Sequence, residues 1–299
     1  MASNIDEPAM LRSLLFVPGN RPDMLEKALG LAPDALVPDL EDSVPPAEKA
    51  KARDIVASFL PRLAQVGVAV IPRANPASTG LLEDDLAALV GPDILGITVG
   101  KIGDASELGH VEVHVERLEA EAGIEKGRVR LVPWIETAWA VVNAYEICSA
   151  SSRVVAVAFG AEDFTNDMEI ERTEDALEIV YPRQVVGVAA RAAGVLALDT
   201  PWVAFRDTDG LRRDALAARG FGFRGKFAIH PSQIEPINEA FAPTEAELEW
   251  ARRVISAFEE AEESGSGATS LDGKMIDIPV VRRARGLLEL ASRSVAPRE

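Results

Sequence analysis

The chain has 299 residues, 47% of them hydrophobic and 5% aromatic, with a formal net charge of -17. That charge excludes nucleic acid and anionic membranes as partners, since both are gripped through basic surfaces, and so few aromatics leave little to stack single-stranded bases. No apolar run reaches the roughly 18 residues of a membrane span, MASNIDEPAM has neither the basic start nor the apolar segment of a signal peptide, and Cys148 stands alone; the expected compartment is the cytoplasm.

In chain order, eight short β-type runs alternate with helical stretches. The runs fall at 12–17, 35–39, 67–72, 93–99, 128–134, 153–159, 195–199 and 226–229, mostly continuous in apolar residues as strands buried on both faces are. Helical spacing falls at 23–31, 47–65, 81–90, 137–150, 174–193 and 209–219. Eight such units predict an α/β fold of the TIM (β/α)8 barrel type. A doubly wound open sheet is the rival, but no run leads into the glycine fingerprint of a dinucleotide site. After Phe241 the pattern changes to a helix from Thr244 to Glu263, a SGSGATSLDG stretch expected to be a flexible connection, and a last helix over 280–292. The expected division is a catalytic barrel over 1–241 and a C-terminal helical extension over 242–299, a lid packing on a neighbouring subunit.

Sites in a TIM barrel sit just past the C-terminal ends of its strands. Those positions hold Asn20-Arg21, Glu41-Asp42, Arg73, Lys101, Glu136, Glu162-Asp163, Asp199 and His230. Glu136 and Asp163 follow successive runs, and parallel neighbours lie only about 4.8 Å apart. Two carboxylates so placed suit a hard divalent cation such as Mg²⁺, with Mn²⁺ as an alternative. Arg21, Lys27, Arg73 and Lys101 supply the local positive charge that an anionic metabolite needs in so acidic a chain.

The strings LLFVPGNRPDMLEKAL, PDLEDSV followed by KAKAR, IPRANP, WIETAWAVVNAYEI, AVAFGAEDFTNDM, GKFAIHPSQIEPINEAFAP and LDGKMIDIPVVRRAR resemble, in order and over nearly the whole chain, the citrate lyase β-subunit family of CoA-ester lyases within the HpcH/HpaI aldolase superfamily. The resemblance implies a TIM barrel, Mg²⁺ held by Glu136 and Asp163, and Arg73 contacting the substrate carbonyl. It further implies CoA recognition through Phe16, Arg21 and Lys27. Lys101, from its strand end, is read as a substrate-binding cation, and Glu41 and Asp42 as outer carboxylates supporting the metal's water. Asp277, in GKMID, matches a motif whose Asp reaches a neighbouring subunit's site, in a homotrimer or larger assembly. A plain N-cap before Pro279 explains Asp277 equally well.

The implied reaction is Claisen-type cleavage or formation of a 3-hydroxyacyl-CoA such as malyl-, citramalyl- or citryl-CoA. A metal-dependent 2-oxo acid aldolase without CoA is one alternative; a subunit working on an acyl-carrier-protein thioester, or only binding, is another. Other features read as structural: His110 and His114 as exposed helix residues, Cys148 as a buried thiol, Asp167 as a loop acid, and His230 as either the holder of the Pro231 turn or a catalytic group.

Overall fold

The computed structural model describes residues 10–173 and 175–295; Glu174, where one expected helix begins, lies outside them. Nine parallel strand segments form a single sheet in the order β1-β9-β8-β7-β6-β5-β4-β2-β3, closed because β1 also pairs with β2. They are β1 (Ser13–Pro18), β2 (Ala35–Asp39), β3 (Ala69–Val70), β4 (Arg73–Ala74), β5 (Gly96–Val99), β6 (Arg130–Ile135), β7 (Ala156–Phe159), β8 (Leu196–Asp199) and β9 (Gly225–Ala228). β3 and β4 are halves of one stave, parted at Ile71-Pro72, where proline has no N–H for the ladder. The result is the eight-staved TIM barrel.

Helices α1 (Pro22–Ala28), α2 (Lys49–Ala64), α3 (Leu82–Leu89), α4 (Ala105–Glu121), α5 (Ala138–Val142), α6 (Ala144–Ser149), α7 (Ala161–Asp167), α8 (Val180–Ala193) and α9 (Thr208–Gly220) follow the staves, and α10 (Ile234–Phe241) follows β9. The stretch expected as one helix over 137–150 breaks at Asn143, whose side-chain amide donates to the Trp139 carbonyl at 3.0 Å and so competes with the backbone ladder.

Side chains alternate between the two faces of a strand, and here one parity fills the barrel: Leu14, Val37, Ile71, Val132, Trp134, Ala156, Ala158, Leu198 and Phe227 form its core, with Phe16 packed on them. Phe16, Trp134 and Phe227 cluster with ring centroids 4.5 to 5.9 Å apart. The opposite parity faces the helices. There Asp199 is fully buried in ion pairs with Arg183 of α8 (2.9 Å) and Lys226 of β9 (2.5 Å), both of which also pair with Asp214 of α9. Asp199 therefore points away from the barrel mouth, contrary to its reading as a mouth residue. Removing one partner from such a buried network leaves an unpaired charge and costs about 3–5 kcal/mol; Lys226→Met is expected to lower stability by that amount, measured by urea unfolding.

The chain divides into compact units at 238/239, within α10. The second unit contains α11 (Glu245–Glu263), a hairpin of β10 (Thr269–Leu271) and β11 (Lys274–Ile276), and α12 (Ile278–Val295). α11 opens with a capping box between Thr244 and Glu247. Ala251, Val254, Phe258, Ile276, Val281 and Ala284 form its own core. The expected flexible connection is thus partly an antiparallel hairpin, because Asp272 and Gly273 both take positive φ, 50° and 74°, the pattern of an Asp-Gly two-residue turn. No helix among the described residues is long and apolar enough to cross a membrane.

Candidate active site

The parity that fills the barrel, continued past each strand, lines a cavity of about 340 Å³ at its C-terminal mouth. Phe16, Asp39, Arg73, Trp134, Glu136, Gly160, Thr200 and Ile229 all line it, joined by Asp42, Glu162 and Asp163. β6 and β7 run in register with Ile135 opposite Phe159, which sets Glu136 beside Gly160. Asp163 comes from the first turn of α7 rather than from a strand end. Thr200 Oγ1 accepts the Ala161 N–H at 3.1 Å and ties down the start of that helix.

Glu136 is 3% exposed. Its Oε1 accepts the backbone N–H of Lys101 at 2.6 Å, and Lys101 takes a left-handed conformation, φ 57°. Two glycines leave room for this carboxylate: a Cβ on Gly160 would lie 2.4 Å from Glu136 Oε2, and one on Gly100 would lie 2.9 Å from Oε1. Burial, then the charges of Asp163 and Glu41, push the Glu136 carboxyl up to about 8. Gly160→Ala is expected to dislodge the carboxylate and reduce turnover about a hundredfold, the cost of roughly 1 Å of misplacement at a reacting centre; initial rates at saturating substrate check this.

Around Glu136 the charges interlock. Glu41, also buried, pairs with Arg73 Nη1 at 2.9 Å and Lys101 Nζ at 3.1 Å, and Lys101 Nζ lies 3.6 Å from Asp163 Oδ1. Burial outweighs these cations and raises the Glu41 carboxyl. For Lys101 the balance is reversed: burial would lower its pKa, but Glu41, Asp163 and Glu136 raise it.

Arg73 is held from behind by Asp39, Nε to Oδ1 at 2.6 Å and Nη2 to Oδ2 at 2.8 Å, and reaches Asp42 through Nη1 at 3.1 Å. Its guanidinium lies 4.5 Å from the Phe16 ring centroid. Asp39, missed in the sequence reading, also accepts from the Glu41 and Ser43 amides and the Ser43 hydroxyl. Burial alone would raise the Asp39 carboxyl, but Arg73 holds it below its ordinary range. The signal for it was available: Asp39 ends an otherwise apolar strand at the inward parity.

The structure thus gathers Glu136, Asp163, Arg73, Glu41, Asp42, Lys101 and Phe16 at one mouth. Arg21 instead pairs with Asp23 at 2.8 Å on the surface, and Lys27 is exposed on α1; neither lines the cavity. His230 caps the turn at Pro231, its Nδ1 accepting from the Ser232 amide, and stacks on Phe205. Asp167 accepts the Ala138 N–H. Cys148 is buried, which pushes its thiol up to about 12. In the second unit, Asp277 Oδ1 accepts the Val280 N–H at 3.3 Å at the start of α12.

The chain matches the HpcH/HpaI aldolase/citrate lyase family over residues 12–231. It is 39% identical over 281 residues to citrate lyase subunit beta of Leuconostoc mesenteroides subsp. cremoris, covering 94% of this chain and 93% of that relative. Over 295 residues it is 32% identical to the mitochondrial citramalyl-CoA lyase of Rattus norvegicus, covering 94% and 86%. Among solved structures, CitE from Mycobacterium tuberculosis in complex with magnesium, acetoacetate and coenzyme A superposes with a TM-score of 0.78 at 30% identity, over 95% of this chain and 99% of that one. A match spanning the whole barrel, with acidic and basic groups converging at its mouth, places the chain in the HpcH/HpaI aldolase/citrate lyase family, as a carbon–carbon lyase.

Proposed function

We propose that the chain is a Mg²⁺-dependent lyase that cleaves, or in reverse forms, a 3-hydroxyacyl-CoA of the malyl, citramalyl or citryl type. The observation that carries this is the buried Glu136 beside Asp163, with Arg73 fixed by Asp39 across the same cavity. Among the described residues no three His, Cys, Asp or Glu side chains group as a metal cage. A two-carboxylate site is what Mg²⁺ uses, since it keeps several waters and takes its other oxygens from substrate. The fit is seen in Glu136 itself, a carboxyl raised by burial and by neighbouring acids, beside Gly100 and Gly160 whose missing Cβ atoms leave room for it.

Glu136 and Asp163 hold the cation in this reading, and when bound it supplies Lewis acidity to the hydroxyl and carboxylate of the 2-oxo acid half. Arg73, permanently charged and braced against rotation, faces the thioester oxygen on which enolate charge develops. Glu41 and Asp42 brace Arg73. Arg21 and Lys27 receive the CoA moiety outside the cavity, Phe16 meets it from the cavity lining, and Lys101 balances the acids around the substrate carboxylate. Asp277, brought by a neighbouring copy in a homotrimer or larger assembly, protonates the enolate carbon.

A panel of CoA thioesters, carrier-protein thioesters and free hydroxy acids, assayed with and without Mg²⁺, tests the reading; turnover of free hydroxy acids alone would replace it with a CoA-independent aldolase. Because a proton on Glu136 competes with the metal, Mg²⁺ affinity is expected to rise about tenfold per pH unit up to about 8 and level above it, as calorimetric titrations at several pH values would record. Mixing Asp277→Asn with Glu136→Gln chains is expected to restore part of the activity that each lacks alone; no recovery after subunit exchange would place Asp277 outside a shared site.

A further inference from the structure

Glu41 projects its carboxylate into the site, while its own carbonyl and that of Leu40 turn the other way. Both carbonyls are met by one ammonium: Lys49 Nζ donates to Leu40 O at 2.8 Å, to Glu41 O at 2.6 Å and to Asn75 Oδ1 at 2.7 Å. A lysine has three N–H donors, and these contacts use all of them. Lys49 is the first residue of α2, the end of a helix where the dipole disfavours a cation; its place there answers to the loop rather than to the helix.

Asn75 is in turn fixed. It is 1% exposed, and its backbone N–H and side-chain Nδ2 both donate to Asp85 Oδ2, at 2.9 and 2.6 Å. Asp85 is fully buried on α3, sharing a face with Leu82, Leu86 and Leu89, and its other oxygen accepts from Arg53 Nε at 2.7 Å. An unbroken chain of contacts therefore runs from Arg53 and Asp85 through Asn75 and Lys49 to the loop that aims Glu41 at Arg73 and Lys101.

We propose that Asn75 is a positioning residue: held by Asp85, it seats Lys49 under the Leu40–Glu41 loop and so sets the carboxylate of Glu41 against Arg73. This rests on the proposed reading of the site as a Mg²⁺-dependent lyase. Asn75, Lys49 and Asp85 are absent from the lining of the cavity that holds Glu136 and Asp163; Asn75 and Lys49 line a neighbouring cavity of about 420 Å³ with Glu41, Asp42 and Lys101, and it is through Glu41 that Asn75 acts.

The test is a double-mutant cycle between Asn75→Ala and Glu41→Gln, read as kcat, KM for the thioester and the Mg²⁺ dissociation constant. Asn75→Ala alone is expected to lower kcat about tenfold to a hundredfold and weaken Mg²⁺ by about tenfold, as loss of an outer partner of a metal site does, with KM changed less than about twofold. In the Glu41→Gln background the same substitution is expected to change kcat and Mg²⁺ affinity less than about twofold, because its route of action is gone. Equal losses in both backgrounds, or a fall in folded fraction with wild-type Mg²⁺ affinity, would overturn the proposal. Should Asn75→Ala not fold, Lys49→Met takes its place in the cycle, and Lys49→Arg is expected not to rescue it, since a planar fork cannot serve three converging acceptors. A wild-type protein that neither binds Mg²⁺ nor turns over thioesters would instead contradict the reading of the site, leaving the hydrogen-bond chain untouched.

Discussion

Replacing Glu136 by Gln is expected to remove turnover by about a thousandfold or more and, in metal-free protein, to make the fold more stable at pH 8. The first effect follows from losing one of only two carboxylates proposed for the cation, whose charge stabilisation is worth several kcal/mol. The second follows from proton linkage. The Glu136 carboxyl rises from an ordinary 4.5 to about 8 in the fold, because burial and the nearby acids Asp163 and Glu41 penalise its charge. A folded pKa above the unfolded one means that the native state holds the extra proton in between, so stability falls as pH climbs from about 4.5 to about 8. Gln carries no charge and abolishes that fall. Thermal unfolding in EDTA at pH 5 and pH 8 checks it: the variant's advantage is expected to be small at pH 5 and largest at pH 8.

Replacing Arg73 by Met is expected to be costly twice. Turnover falls about a hundredfold to a thousandfold, the usual loss when a preorganised donor to a developing oxyanion is removed. Stability falls by about 3–5 kcal/mol, because Asp39, with no exposed surface, is left as an uncompensated buried charge. The pH dependence separates this from a generic packing defect. In the wild type, Arg73 holds the Asp39 carboxyl below its ordinary range; the stability this gives is present above the unfolded pKa and is lost as pH drops through the lowered one. Without Arg73, burial pushes the Asp39 pKa up against only the hydrogen bonds from Ser43 and the Glu41 amide, so the variant is expected to gain stability relative to wild type on moving from pH 7 to pH 4. Urea unfolding at both values measures it, and a pH-independent difference would assign the loss to packing.

The fold was legible because eight apolar runs of strand length alternate with amphipathic stretches, and the sheet closes with one stave per run. Glu136 and Arg73 were legible for the same reason: each stands at a strand end. What the strand-end rule lacked was parity. Residues 37, 39 and 41 point inward together, as do 132, 134 and 136, whereas Asp199 stands one step out of phase with inward Leu198 and Thr200 and faces the helices. Applied to the runs, that alternation would have found Asp39 and rejected Asp199. Other features depend on contacts distant in sequence. Asp163 was named from the run before it, but its place on the first turn of α7 was not, since that helix is too short to show a period, and the Asp85–Asn75 contact was signalled only by an acid on the apolar face of α3. The hairpin at 269–276 was hidden by its glycine- and serine-rich approach, although its Asp-Gly turn was in plain sight.

In the proposed lyase, Glu136 and Asp163 share one divalent cation. Calorimetric titration of Mg²⁺ into wild type, Glu136→Gln and Asp163→Asn measures whether they do. One site per chain is expected in the wild type, with affinity reduced about a hundredfold or more by either substitution, in keeping with a metal that takes one or two protein carboxylates. Wild-type affinity retained in both variants would contradict it.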